Sequence, residues 1–238
     1  MNPPLAQRGV FLTATDTGVG KTFVGTLLVQ ALSRQGRRVA VRKPVESGCA
    51  LQDGGLQPAD ALALQAAAGN REALQVICPY RFRHALSPPR AASLAGERLP
   101  LAALRAAALD GLDGSDWLHV EGAGGICSPI AEDGLNADLA AALGLPLVLV
   151  VPDRLGGINQ ALMGLAAAER HGLHVAALVL NRVTAETDPD LDNAGELAAH
   201  SDCPVFRLPH AAADGLDALA AQLLGQTNSS SSRRATPR

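Results

Sequence analysis

Two lysines and a glycine-rich loop carry the first chemical signal in this chain. Of its 20 basic residues, all but Lys21 and Lys43 are arginine, so the two positions that hold an ammonium ask for a chemical reason. An ammonium is a compact point charge on a flexible stem, whereas a guanidinium is a wide planar fork, and a tight phosphate site accepts the first and rejects the second. The competing explanation is chance survival. Lys21 closes the segment Thr15-Asp16-Thr17-Gly18-Val19-Gly20-Lys21-Thr22. A loop of this kind offers backbone N–H groups to phosphates, a lysine to the β and γ phosphates and a threonine hydroxyl to Mg²⁺. The match to G-x-x-x-x-G-K-[ST] is incomplete: Thr15 stands at the first glycine position with Ala14 before it, so Gly18 and Gly20 must supply the backbone freedom.

Carboxylates that complete a magnesium site are the next requirement. Glu121 is expected to end a strand, where it meets Gly122-Ala123-Gly124-Gly125 and points into the ligand crevice. Asp60 precedes Ala61-Leu62-Ala63-Leu64 and reads either as a ligand or as a helix N-cap. Mg²⁺ takes one or two carboxylates with phosphate oxygens and waters, so Thr22, Asp60 and Glu121 suffice. In Lys43-Pro44-Val45-Glu46-Ser47-Gly48, Lys43 and Ser47 are expected opposite Lys21, where an acceptor substrate would stand. A second cation there neutralises charge in phosphoryl transfer. The alternative is a surface lysine in a turn.

The elements that must position these groups alternate along the chain. Apolar runs predict strands over 10–13, 39–41, 117–120, 147–151, 175–180 and 204–208, and helical patterns cover 21–35, 159–171, 191–200 and 214–224. Further helices begin near residues 60 and 101, and the proline-rich stretch 80–100 receives no assignment. This alternation predicts an α/β fold, a mostly parallel sheet covered by helices on both faces, whose ligands sit at the carboxyl ends of the strands. One domain is expected over 1–226, followed by a flexible polar tail over 227–238.

Composition narrows the function classes. A chain of 238 residues that is 47% hydrophobic buries one sizeable core. No apolar run approaches the ~20 residues of a membrane helix, and residues 1–9 lack the pattern of a secretory signal, so a cytoplasmic protein without a membrane partner is expected. A net charge of −3 and 3% aromatics argue against nucleic acid as a partner. Cys49, Cys78, Cys127 and Cys203 form no Cys-x-x-Cys pair, and the six histidines show no metal spacing.

Taken together, Thr15-Asp16-Thr17-x-Val19-Gly20-Lys21-Thr22, Lys43-Pro44-Val45-x-Ser47-Gly48, Asp60-Ala61-Leu62, Glu121-Gly122-Ala123-Gly124-Gly125 and Leu155-Gly156-x-Ile158-Asn159 resemble the dethiobiotin synthetase family in order and rough spacing. The resemblance covers roughly residues 8–225. It implies a single-domain P-loop NTPase fold and a homodimeric, magnesium-dependent enzyme that closes a ureido ring on 7,8-diaminononanoate with CO2 and ATP, through a carbamic-phosphoric anhydride. It further implies roles by position: Lys43 bridging carbamate and γ-phosphate, Lys21 on the phosphates, Thr17 near the carbamate, and Ser47 on a substrate nitrogen or carbamate. Gly18, Val19, Gly20, Thr22 and Phe23 would bind ATP together with Gly122, Ala123 and Gly124, and Asn181, Arg182, Pro209, His210 and Ala211 would flank the adenine. Gly156, Gly157, Ile158 and Asn159, from the other subunit, would receive the substrate's distal carboxylate. Gly18, Ala14 and Arg182 depart from the family's usual residues.

Two rivals share the fold expectation. A Min-type ATPase switch would carry a second lysine early in the loop, where this chain has Asp16, and the stretch 216–224 lacks basic residues for a membrane-binding helix. A cobalamin-type amidating synthetase would need a glutamine-hydrolysing domain for which 238 residues leave no room.

Overall fold

The computed structural model describes residues 8–229 apart from 53, 115 and 187. Along the chain run β1 (Gly9–Ala14), α1 (Lys21–Arg34), β2 (Val39–Arg42), β3 (Val45–Ser47), β4 (Ala50–Gln52), β5 (Gly55–Gln57), α2 (Ala59–Ala67), α3 (Leu74–Ile77), β6 (Tyr80–Phe82), α4 (Pro88–Leu94) and α5 (Leu101–Leu109). They are followed by β7 (Trp117–Gly125), β8 (Pro129–Ala131), β9 (Gly134–Leu135), α6 (Asn136–Leu143), β10 (Leu147–Pro152), α7 (Gly157–Arg170), β11 (Val175–Asn181), α8 (Asn193–Leu197), β12 (Val205–Leu208) and α9 (Asp217–Ser229).

Six of the strands form one sheet in the order β12-β11-β10-β1-β7-β2, with every pairing parallel. Its inner strands β1, β10 and β11 read as near-continuous apolar runs because both faces are covered. Alternation then divides the side chains between two layers. Val10, Leu12 and Ala14 pack with Leu28, Leu32, Leu64 and Leu219 of α1, α2 and α9. Phe11 packs on the opposite face with Leu104, Leu139 and Ala161 of α5, α6 and α7. Truncating a fully buried Leu28 or Leu32 to alanine costs about 2–5 kcal/mol.

The same alternation sets the site. On β7, Leu118 and Val120 face the α6 layer, while Trp117 faces the α1 layer. Residues 119 and 121 share Trp117's parity, which brings Glu121 beneath the start of α1. The chain order reverses at β1, whose neighbours are β10 and β7. Such a switch point opens a crevice at the carboxyl ends of the strands.

The expected α/β fold is present, with four differences in its elements. β7 continues through the glycine run to Gly125, which pairs with Ala14 after a register shift, so Glu121 lies inside the strand. The stretch 80–100 contains β6 and α4, with proline in the first turn of α4. α8 spans only five residues. α9 starts at Asp217 because Gly215 has φ +116°, outside helical space, and it runs to Ser229, past the boundary expected at 226. The rest of the expected tail, 230–238, lies outside the described residues.

Candidate active site

The phosphate loop joins β1 to α1. Gly18 and Gly20 adopt φ of +76° and +81°, which L side chains disfavour. The N-cap of α1 is Gly20, with no side-chain capping bond and no acid in the first turn. Four N–H groups at such a helix start lack intrahelical partners, and the macrodipole adds partial positive charge. An anion is the natural complement.

Beneath that loop lies a charge cluster built by four segments, α1, the end of β2, α2 and β7. Glu121 is fully buried, and its Oε1 accepts from Lys43 Nζ at 2.6 Å, Thr22 Oγ1 at 2.8 Å and Lys21 Nζ at 3.3 Å. Lys43, also buried, donates to Asp60 Oδ2 at 2.9 Å and to the Gly122 carbonyl at 3.0 Å. Burial alone would raise the Glu121 pKa, but the two ammonium groups outweigh it and hold the carboxyl at about 2. Burial would likewise lower Lys43, and Glu121 with Asp60 reverse the sign and keep it above the ordinary lysine value. Lys21 is lowered by burial, against the pull of Glu121.

Lys21, Thr22, Lys43 and Asp60 border a cavity of about 750 Å³. Of the residues expected at the site, Thr17, Gly18, Gly20, Lys21, Thr22, Phe23, Lys43, Ser47, Asp60, Ala123 and Gly124 line it. Glu121 does not point into the opening as expected. It forms the floor, since its parity turns it under α1 and the lysines cover it. Asp60 is not the N-cap of α2, a position held by Pro58. Ser47 donates its hydroxyl to the Leu86 carbonyl at 2.7 Å.

The remaining expected residues do not line the cavity. Buried Asn181 donates to the Val19 carbonyl at 2.8 Å, leaving Oδ1 without a hydrogen-bond partner. Arg182 reaches Asp153 at 3.4 Å, and Pro209, His210 and Ala211 form an exposed turn. Gly156, Gly157, Ile158 and Asn159 open α7 outside the cavity. Gly156 is left-handed at φ +87°, Asn159 is exposed, and the preceding Leu155 is 86% exposed.

Thr22, Asp60 and Glu121 make an all-oxygen donor set of one hydroxyl and two carboxylates, and Glu121 Oε2 is buried without a partner. That chemistry suits a hard cation such as Mg²⁺, which draws its other ligands from phosphate and water.

Three structural supports escaped the reading of the sequence. Asn136, fully buried at the start of α6, accepts from Ala123 N and donates to the carbonyls of Ala123, Gly125 and Ser128. It clamps the glycine run, and a Cβ at Gly122 would fall 2.3 Å from its Oδ1. Gly25 lets Glu121 approach α1, since a Cβ there would meet Oε2 at 2.9 Å. A glycine inside a helical pattern was the available signal. Glu46, the unspecified residue of the Lys43 motif, accepts from the backbone N–H groups of Asp60 and Ala61.

With this geometry in view, similarity to known proteins decides between the readings. An AAA domain family model matches residues 8–212. The chain is 43% identical over 193 residues to the ATP-dependent dethiobiotin synthetase BioD of Anaeromyxobacter dehalogenans (strain 2CP-1 / ATCC BAA-258), covering 81% of this chain and 85% of that one. It is 38% identical over 199 residues to the enzyme of the same name from Ruthia magnifica subsp. Calyptogena magnifica, covering 84% and 90%. The chain belongs to the dethiobiotin synthetase family. Among solved structures, the MinD cell division protein of Aquifex aeolicus matches with a TM-score of 0.52 at 13% identity, over 97% of this chain and 99% of that one. That likeness shows the fold alone, so the Min-type rival shares the architecture while the sequence sides with the synthetases. No helix among the described residues is long and apolar enough to cross a membrane.

Proposed function

We propose that this member of the dethiobiotin synthetase family closes a ureido ring: 7,8-diaminononanoate, CO2 and ATP give dethiobiotin, ADP and phosphate. The observation that carries the reading is the position of Lys43. Its ammonium reaches Glu121, Asp60 and the Gly122 carbonyl within 3.0 Å, at the floor of a cavity that the phosphate loop and Ser47 share.

In this reading one substrate amine, deprotonated, captures CO2 as a carbamate. A carbamate oxygen attacks the γ-phosphate and ADP leaves. The second amine then attacks the carbamoyl carbon of the mixed anhydride, closing the ring and expelling phosphate. Lys21 and the first turn of α1 hold the phosphates in line, and Lys43 draws the carbamate and γ-phosphate together and offsets the charge between them. Thr17 and Ser47 orient the carbamate end, with Ser47 exchanging the Leu86 carbonyl for substrate. Thr22, Asp60 and Glu121 would hold magnesium, which when bound neutralises charge on the β and γ phosphates. Asn181 Oδ1 is free to accept from an adenine amino group, and the residues 182 and 209–211 border the same side. A homodimer in which α7 of a second copy offers Gly156 to Asn159 to the substrate carboxylate completes the proposal, supported by the exposed Leu155 and the uncapped α7 start.

Product analysis tests the reading. ATP turnover followed with and without diaminononanoate and bicarbonate is expected to depend on both and to yield a cyclic urea identified by mass. Substrate-independent hydrolysis without ring formation would overturn it.

A further inference from the structure

We infer that Glu46 is a positioning residue that caps α2 across the crevice and thereby fixes Asp60 at the reacting end of the cavity; this rests on the proposed metal role of Asp60. The N-cap of α2, Pro58, has no side chain able to receive the helix's first N–H groups and makes no side-chain capping bond. A local cap normally receives the N–H groups at the second and third helical positions, which here are Asp60 and Ala61. Glu46 on β3 supplies that cap from 14 residues away: its Oε1 accepts from Asp60 N and its Oε2 from Ala61 N, each at 3.0 Å.

The carboxylate is placed for this by its own strand. β3 pairs in parallel with β6, with Glu46 opposite Arg81, and Glu46 is only 7% exposed at the cavity wall. A negative charge at a helix N-terminus meets the positive end of the macrodipole. Asp60 is thus held twice, through its backbone by Glu46 and through its side chain by Lys43, three residues before Glu46. One short segment, Lys43 to Glu46, carries both restraints, so the phosphate-facing ammonium and the candidate metal ligand move as one unit. Removing the Glu46 acceptor frees the first turn of α2 while leaving the phosphate loop and the Lys43–Glu121 contact in place.

Glu46→Ala and Glu46→Gln in the full chain test this; Gln keeps one acceptor oxygen and covers the case in which Ala fails to fold. In the nucleotide-free protein, amide hydrogen exchange at Asp60 and Ala61 is expected to accelerate about five- to thirtyfold in Glu46→Ala, the range that loss of a cap gives, and less in Glu46→Gln. Exchange at the first turn of α1 should stay unchanged. In turnover assays the Mg²⁺ concentration for half-maximal rate should rise several-fold with KM for diaminononanoate near wild type. Unchanged exchange at Asp60 and Ala61 would overturn the inference, as would a raised diaminononanoate KM with a normal Mg²⁺ response, which would make Glu46 a direct substrate contact. Asp60→Asn separates the two levels: a wild-type Mg²⁺ response in that variant removes the metal role of Asp60, and the exchange result then decides the cap by itself.

Discussion

α1 and α7 begin almost identically and end up in opposite surroundings. Each is a 14-residue helix entered through a left-handed glycine, Gly20 or Gly156, with no side-chain cap and no acid in the first turn. By backbone alone both helix starts favour a negative charge. At α1, however, the chain itself completes the site: Lys21 and Thr22 lean on buried Glu121, Lys43 arrives from the end of β2, and Asn181 presses on the loop from β11. At α7 the chain supplies little beyond the helix start. Asn193 ties Asp153 and the Arg154 carbonyl in place at 2.9 and 3.1 Å, while Leu155 and Asn159 face outward. A shared backbone motif therefore sets the sign of charge each helix start favours, and the surrounding side chains decide whether a site is built there.

Four perturbations probe that contrast, in decreasing order of expected effect. Lys43→Arg should lower kcat about 10²–10³-fold while leaving ATP affinity within a few-fold, because a planar fork cannot repeat the three contacts of the ammonium and its role lies in the transition state. Near-normal turnover would remove the point charge from the account. Gly20→Ala should cost about 2–3 kcal/mol of nucleotide binding by calorimetry: to the left-handed strain it adds a Cβ only 2.2 Å from Asn181 Nδ2.

The floor beneath α1 should also carry a pH signature that the α7 end lacks. His119 is fully buried on the Glu121 side of β7 with neither ring nitrogen hydrogen-bonded. Burial lowers its pKa to about 4, with Lys43 adding to the shift and Glu121 opposing it. A neutral imidazole in the fold and a pKa near 6.5 when unfolded mean that its stability contribution is complete above pH 6.5 and is lost as pH falls toward 4, with a slope of up to about 1.4 kcal/mol per pH unit. Denaturant unfolding of His119→Phe should show a shallower loss over that window; an unchanged slope would exclude His119 as its source. Smallest of the four, Gly156→Ala should cost about 1 kcal/mol of stability, since the nearest atom to its new Cβ is Arg154 Nη1 at 3.8 Å and only the φ of +87° is strained. ATP affinity should not change. A loss of ATP affinity equal to that of Gly20→Ala would mean that the two helix starts serve one ligand.

Legibility in the sequence followed the same divide. The inner strands of the central sheet were readable because a doubly covered parallel strand is a near-continuous apolar run, and the phosphate loop because it is local. Lys43 stood out by residue type alone. What escaped depends on contacts between distant segments: the Glu46 cap on α2 spans 14 residues, the Asn136 clamp binds the glycine run 11 to 13 residues earlier, and Gly25 matters only because Glu121 arrives beneath it. Glu121 was expected at the strand's end pointing into the crevice but lies inside the strand under α1, because parity along β7 becomes decisive only once the strand is known to continue to Gly125. The 80–100 stretch was opaque because its prolines hide β6 and α4, which have meaning only against β3 and the cavity wall.

The central claim is that the phosphoryl group of ATP is taken by a carbamate oxygen at the Lys43 end of the cavity. Turnover with freshly dissolved C¹⁸O₂, diaminononanoate and ATP, quenched before the label exchanges with water, tests it directly. One ¹⁸O should leave in inorganic phosphate while the other stays in the ureido carbonyl. Ring formation with unlabelled phosphate would contradict the account.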